Sequence, residues 1–559
     1  MDKAGYAFLI EKYELRVLEP LVHCFLVDSS VQSERTTPDG TEIMYPRWRH
    51  PLKSTWQDHL NFAIKYEGVN LEVLKAFFGK VPREEITQEV LSKPTGRYCR
   101  RIWFLYEFLT GEQLPLEDVK TGPFVPLLDS DKQFALPLES SEKARRQRIV
   151  NNLAGNSLFC PMVRLTKQVL ENSADKLKSE TDSLLSAYSP ELLYRAVQYL
   201  YVKETKSSFA IERETPSQKR MDAFVGLLKD AEKDCLSLEG LCSIQKKIVD
   251  ERYQQERWRE SQVYVGESLS PTEERVHYIA PKPADIGSLM EAYMQAANQA
   301  IHINCDAVVT AVIVAFAFVF LHPFDDGNGR THRYLLHHVL ARKNFTPPKI
   351  IFPVSAVLLK NPGVYDRMLE SFSARLMPLL EYSIDDYGEI TVKNDTADFY
   401  RFIDMTPIVE EFQKIVLTTI QTEWKAELNY LQSYDKMRSV MRDIVDMPDK
   451  KANQFIMFVQ QNNGVLPLSR RKLFSELTDE EVAGLEKAVN QFFISYLRPE
   501  CSEHSPISLA GGFMLFYDTV IQYLEKENLA LQTWRTYFWN HKKSNILLQI
   551  SIAQLLMKI

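Results

Sequence analysis

Hydrophobic residues recur every third or fourth position over most of this chain, the period of a helix that buries one face. The spacing predicts helices over Trp56–Phe78, Arg101–Leu109, much of 160–203, Asp285–Ala300, Tyr365–Leu380, Ala397–Leu431 and Tyr434–Val459. Leu184, Leu185, Leu192, Leu193, Val197, Leu200 and Tyr201 supply the core side of the 160–203 stretch. One run differs in kind, because Ala307–Leu321 is apolar almost throughout. Its 15 residues fall short of the roughly 20 needed to cross a bilayer, so it reads as a buried central helix and not as a membrane span. Two β-type runs, Val263–Gly266 and Val276–Pro281, flank a polar loop and predict a hairpin that Pro281 and Pro283 end. The expected fold is therefore mainly α with one short β-hairpin. Three expected domains divide the chain. Residues 1–190 are mostly helical. Residues 195–385 contain the central helix and the hairpin (about 261–283). Residues 386–559 are helical, with two short helices around Thr478–Glu481 that suit a structural or dimerising helical domain or, alternatively, a winged-helix or helix-turn-helix module.

Length and composition agree with this division and narrow the partners. A chain of 559 residues accommodates three or four domains of ~150 residues. With 45% hydrophobic and 25% charged residues it can build cores and is not a disordered chain. A net charge of -7 gives no general affinity for nucleic acid. Local basic runs remain, at Arg97, Arg100 and Arg101, at Lys143–Arg148, and at His541-Lys542-Lys543. The default for such runs is a solvated helix end, and Lys143–Arg148 is expected to open or cap a helix. The seven cysteines include no CxxC pair, which argues against a zinc site or disulfide framework and suits a reducing cytoplasm. Met1–Lys12 carries charges early and has no long apolar core, so no signal peptide is expected.

The run His-Pro-Phe-Asp-Asp-Gly-Asn-Gly-Arg-Thr-His-Arg, His322 to Arg333, joins the central helix to a second apolar-periodic stretch, Tyr334–Leu340. Gly327 and Gly329 let the backbone bend and approach a ligand closely. Backbone N–H groups in such a turn, at a helix start, form an anion site. Arg330 and Arg333 are three apart, share a helix face, and can clamp one polyphosphate. Asp326 is a hard oxygen ligand suited to Mg2+. His322 titrates near neutral pH and can take a proton from a hydroxyl.

This run resembles the Fic family signature HPFx(D/E)GNGRxxR at every fixed position. The resemblance implies a helical Fic core and a protein adenylyltransferase, which moves AMP from ATP to a Ser, Thr or Tyr hydroxyl and releases pyrophosphate. By position, it implies His322 as the base and Asp326 as the Mg2+ ligand. Gly327, Asn328 and Gly329 would be the anion hole, with Arg330 on the β-phosphate and Arg333 on the γ-phosphate. Ser208 and Glu212, one helical turn apart, match the family's inhibitory element (S/T)xxxE(G/N), with Arg213 where Gly or Asn is usual. That resemblance implies a helix over about 205–230 whose Glu212 competes with a phosphate for Arg333. The hairpin corresponds to the family's flap, implying that His277, Tyr278 and Ile279 dock a target segment as an added strand. The implied partners are ATP, Mg2+ and a target protein, which includes this chain itself, and a homodimer fits the same picture. Two alternatives stand beside this one: removal of AMP with a water oriented by Glu212, and a DNA-binding or nucleotide-sensing regulator acting through the C-terminal segment.

Overall fold

Every side chain of Ala307–Leu321 is buried, and this helix is the axis of the larger part of the molecule. The computed structural model describes residues 1–37, 40–270, 273–385 and 388–497. In chain order the strands are β1 (Asp2–Ala4), β2 (Val22–Val27), β3 (Ser33–Thr37), β4 (Gly40–Pro46), β5 (Val125–Pro126), β6 (Glu142–Ala144), β7 (Ile149–Asn151), β8 (Tyr264–Ser270), β9 (Glu273–Ile279), β10 (Tyr382–Ile384) and β11 (Ile390–Val392), the last two paired antiparallel. The helices of the N-terminal part are α1 (Gly5–Tyr13), α2 (Trp56–Phe62), α3 (Leu71–Phe78), α4 (Arg83–Ser92) and α5 (Arg97–Thr110). Then come α6 (Lys167–Glu171), α7 (Ala174–Ser186), α8 (Pro190–Ile211), α9 (Gln218–Lys229), α10 (Leu238–Ile248), α11 (Pro283–His302), α12 (Ala307–Leu321) and α13 (Asn328–Arg342). The series ends with α14 (Val354–Lys360), α15 (Pro362–Leu376), α16 (Thr406–Thr418), α17 (Lys425–Ile444), α18 (Asp449–Gln461) and α19 (Asp479–Leu497).

The α12 helix is buried all round, as its lack of a polar face requires. It packs against α11, α13 and α16. Its start is fixed by Asp306, whose carboxylate accepts from the N–H groups of Val308 and Val309, both at 2.9 Å, satisfying two donors left open at a helix N-terminus. The hairpin is present as expected: β8 and β9 pair antiparallel, with a register shift after Val265, and lie against α15. Among the described residues no helix is long and apolar enough to cross a membrane.

The N-terminal part holds more sheet than expected. The strands β1-β2-β4-β3 form one mixed sheet, and β5-β7-β6 form another. Val22–Val27 alternates buried and half-buried positions, the two-residue period of a strand. The pattern there is too short to stand out in a helical chain. The basic run at Lys143 opens no helix; it enters β6 and a turn, with Arg148 at φ 52°. Arg100 and Arg101 are 4% and 3% exposed, so they are neither a solvated end nor a docking patch. Arg100 donates to the Pro123 carbonyl at 2.9 Å, and Arg101 donates to the Pro126 carbonyl at 2.8 and 2.9 Å. They pin the Pro123–Pro126 segment, which leads into and includes β5, against α5.

Contacts divide the chain into Met1–Leu428 and Asn429–Ile559, rather than near 190 and 386. The first unit thus joins the expected N-terminal and central domains. The second unit has its own apolar core, including Met437, Phe455, Val459, Phe474 and Leu485. Its α19 starts with a capping box: Glu481 N–H donates to Thr478 Oγ1 at 3.2 Å, and Glu481 Oε2 accepts from Thr478 N–H at 2.7 Å. The described residues of this unit are helical and contain no strand, so none of them forms the wing of a winged helix. The basic residues around His541 lie outside the described residues.

Candidate active site

The loop between α12 and α13 is shaped by its sequence. His322 closes α12 in the left-handed region, at φ 49° and ψ 57°, unusual for a residue with a Cβ. Gly327 has φ 91°, where glycine alone is unstrained, and a Cβ there would lie 2.7 Å from Val249 Cγ1. Asn328 ties the loop to itself: its Oδ1 accepts from Phe324 N–H at 3.0 Å and its Nδ2 donates to the Phe324 carbonyl at 2.7 Å. The Asn328 side chain is therefore committed to the loop, and an anion could meet only backbone N–H groups here. No side chain caps the first turn of α13, so its N–H groups carry the positive end of the helix dipole without a side-chain acceptor.

His322 is oriented as a base must be. Its Nδ1 lies 3.1 Å from the Val319 carbonyl. A carbonyl only accepts, so Nδ1 carries the hydrogen and Nε2 keeps its lone pair. Burial pushes the imidazole down to about 4, so it is neutral at physiological pH. His322 borders a cavity of about 370 Å3 between the hairpin and α15, lined also by Val265, Glu267, His277, Tyr278, Asp366 and Glu370.

The three residues expected to dock a target separate. His277 and Tyr278 line the cavity, but Tyr278 is buried, with its hydroxyl donating to the Phe320 carbonyl. Ile279 is 0% exposed, and its carbonyl accepts from Tyr400 Oη at 2.6 Å. Ile279 anchors the hairpin to the body and cannot receive a target side chain.

On the opposite side of the loop, α13 presents Gly329, Arg333 and His337 one turn apart, and α8 presents Glu212, Ser208 and Glu204 in reverse order. Arg333 is fully buried. It donates from Nε to Ser208 Oγ at 2.9 Å, and from Nη2 to the Ser208 carbonyl at 2.8 Å and Glu212 Oε1 at 2.7 Å. Burial opposes the charge of Glu212, but the Arg333 guanidinium outweighs it and holds the carboxyl below its usual range. A Cβ at position 329 would sit 2.2 Å from Glu212 Oε1, so glycine makes room for that carboxylate. The third rung pairs His337 Nε2 with Glu204 Oε1 at 2.9 Å, and Ser355 N–H donates to Glu204 Oε2 at 2.9 Å. His332 meets Tyr365 Oη at 3.0 Å and His338 meets the Ala231 carbonyl at 2.7 Å. All three histidines are buried within the helix packing.

Arg213 explains its own departure from the usual pattern. It lies just past the end of α8, at φ 56°. Its N–H donates to the Ala210 carbonyl at 3.0 Å and the next N–H, of Glu214, donates to the Phe209 carbonyl at 3.1 Å. These two bonds are the Schellman ending of a helix, which calls for a left-handed residue at this position. Arginine adopts it at a cost that glycine or asparagine escapes.

Several residues here were not legible beforehand. Glu214 pairs with both Arg330 and Arg220. Arg330, 4% exposed, also donates to Asp326 Oδ1 at 2.8 Å, and its plane lies 5.4 Å from the Phe209 ring centre. Arg259, 2% exposed, donates to the carbonyls of His322 (2.8 Å), Ser261 (2.6 Å) and Pro281 (2.6 Å), while its own N–H donates to the Pro323 carbonyl at 2.8 Å. Two buried guanidinium nitrogens, Arg330 Nε and Arg333 Nη1, have no hydrogen-bond partner among the described residues.

The Fic/DOC family profile matches residues 235–340, from the start of α10 through the loop to α13. This stretch is a Fic/DOC domain. The profile covers the hairpin and the full His322–Arg333 run but not Glu212. A curated relative, the protein adenylyltransferase Fic of Nematostella vectensis, is 25% identical over 251 residues, 39% of this chain and 52% of its own length. The protein of the same name from Drosophila melanogaster is 35% identical over 94 residues, 17% of each chain. The chain thus spans about half the length of the first relative and about a sixth of the second. A crystal structure of a Fic family protein from Desulfovibrio desulfuricans G20 aligns over 59% of this chain and 87% of its own, at 18% identity and a TM-score of 0.34, too loosely to place residues.

Proposed function

We propose that this site transfers AMP from ATP to the hydroxyl of a protein Ser, Thr or Tyr and that Glu212 holds it in check. The observation that carries the reading is the pairing of a neutral, correctly oriented imidazole with a buried two-arginine cradle across one loop. Names of the Fic relatives support the same chemistry. His322 Nε2 takes the proton of the target hydroxyl, whose oxygen forms a bond to the α-phosphorus as the α–β anhydride bond breaks. Pyrophosphate leaves with the electron pair. Backbone N–H groups at the start of α13 face the charge that builds on the phosphoryl oxygens, and the arginines hold the departing phosphates. Asp326 fits Mg2+: it offers one carboxylate, 43% exposed, beside the cradle, and Mg2+ with nucleotides commonly needs one or two carboxylates plus phosphate oxygens. Bound there, Mg2+ would neutralise phosphate charge. Glu212 occupies Arg333 from the position in which a γ-phosphate would lie.

The test is mass spectrometry of Glu212→Gly incubated with ATP and Mg2+, beside Glu212→Gly/His322→Ala. AMP on the chain itself or on a lysate protein, absent with the double variant, is the expected result. Bound ATP with no adduct on any protein would overturn the reading.

A further inference from the structure

Glu214 stands two residues past Glu212 and does to Arg330 what Glu212 does to Arg333. Its Oε2 pairs with Arg330 Nη1 and its Oε1 with Arg220 Nη1. Arg330 Nη2 is on Asp326. Both arms of the guanidinium that would receive a phosphate are thus on carboxylates, and the one nitrogen left, Nε, is buried. The charges around the cradle cancel: Arg220, Arg330 and Arg333 face Glu212, Glu214 and Asp326. A polyphosphate entering this cradle meets no net positive charge until a carboxylate withdraws.

We propose that Glu214 is a second inhibitory carboxylate, which masks Arg330 as Glu212 masks Arg333, an inference that rests on the AMP-transfer reading of the site. Arg213 makes the pair possible. Its left-handed backbone turns the chain after Glu212, so that the carboxylates on either side of it reach successive arginines of α13. Arg220 makes the second mask reversible. It donates from Nε to the Ile248 carbonyl at 3.0 Å, a fixed post that keeps Glu214 paired when Arg330 turns to a phosphate. Withdrawal of the α8 ending frees both arginines in one motion. The loss of Glu212 alone leaves Arg330 masked.

Inorganic pyrophosphate reads the cradle without chemistry. Calorimetric titration of the full chain would compare parent, Glu212→Gly, Glu214→Gln and the double variant, with ATP-dependent transfer measured alongside. Glu214→Gln is expected to tighten pyrophosphate about tenfold in either background, inside the usual range for coupling between competing groups. The double variant is expected to transfer AMP about tenfold faster than Glu212→Gly. Unchanged or weaker pyrophosphate binding by Glu214→Gln, at an unchanged melting temperature, would overturn the proposal and leave Glu214 as a post that positions Arg330. If Glu214→Gln melts early, Glu214→Asp keeps the charge but draws it back by one methylene. A smaller tightening by this variant supports the mask, and a loosening overturns it. Tighter pyrophosphate with no AMP adduct in any variant would sink the transferase reading and keep the mask. AMP transfer by Glu212→Gly with no effect of Glu214→Gln would do the reverse.

Discussion

The two sides of the catalytic loop are built differently. On the α8 side the cationic groups are buried and matched by carboxylates. On the hairpin side a cavity of about 370 Å3 reaches His322, with Glu267, Asp366 and Glu370 along its walls and no lysine or arginine among its lining residues. The contrast teaches where control resides. On the AMP-transfer reading proposed above, the target side is ready as folded, whereas the nucleotide side has to be opened. A change on either side should therefore alter one substrate and spare the other.

The largest effect is expected from the group that serves both sides. His322→Ala in the Glu212→Gly background should lower transfer by about a thousandfold, within the range for a general base, with ATP affinity unchanged by calorimetry. The same imidazole sets the acid limb. With its titration pushed down to about 4, the neutral, active form persists as pH falls below 6.5, and the rate should halve near pH 4 to 5 in a pH–rate profile. A limb near 6.5 would show that burial does not hold in solution.

Next in size is the nucleotide side. Glu212→Gly should raise transfer by about thirtyfold, a typical intramolecular coupling, through tighter nucleotide binding and not through the KM for the protein target. Arg213→Gly works in the other direction. Relief of the left-handed arginine should stabilise the helix ending by about 1 kcal/mol, which a thermal or urea melt would register. The tighter ending should also lower basal transfer. The smallest expected change in nucleotide terms is on the target side. Glu370→Lys should alter the KM for the target protein severalfold, the usual scale for a peripheral charge at an interface, and leave the Kd for ATP within twofold. A matching change in both would erase the contrast.

How much of this was visible beforehand follows from sequence distance. The loop from His322 to Arg333 is contiguous, and each residue carries its chemistry in its type, so a base, a phosphate cradle and a cation ligand could be proposed together from the sequence. The i, i+4 spacing of Ser208 and Glu212 placed them on one face. The run Ala307–Leu321 announced its own burial. Glu214 and Arg259 were not legible, because their value comes from partners 116 and 63 residues away. An isolated carboxylate or guanidinium ordinarily reads as solvated surface. Arg100 and Arg101 failed as a patch for the same reason, since the carbonyls they satisfy arrive from a later connector. The small N-terminal sheet was hidden because strands of three to seven residues leave too few alternations to register against a helical background. Ile279 was misplaced because a hairpin residue next to the body looks, in sequence, like one at the tip.

Arg259 has one more consequence. Its side chain bonds the carbonyl of His322 on one hand and that of Pro281, at the foot of the hairpin, on the other. The hairpin is thus a lever whose fulcrum is riveted to the imidazole's own backbone. A displacement at the foot of the hairpin is passed to the backbone of His322 through a single rigid plane.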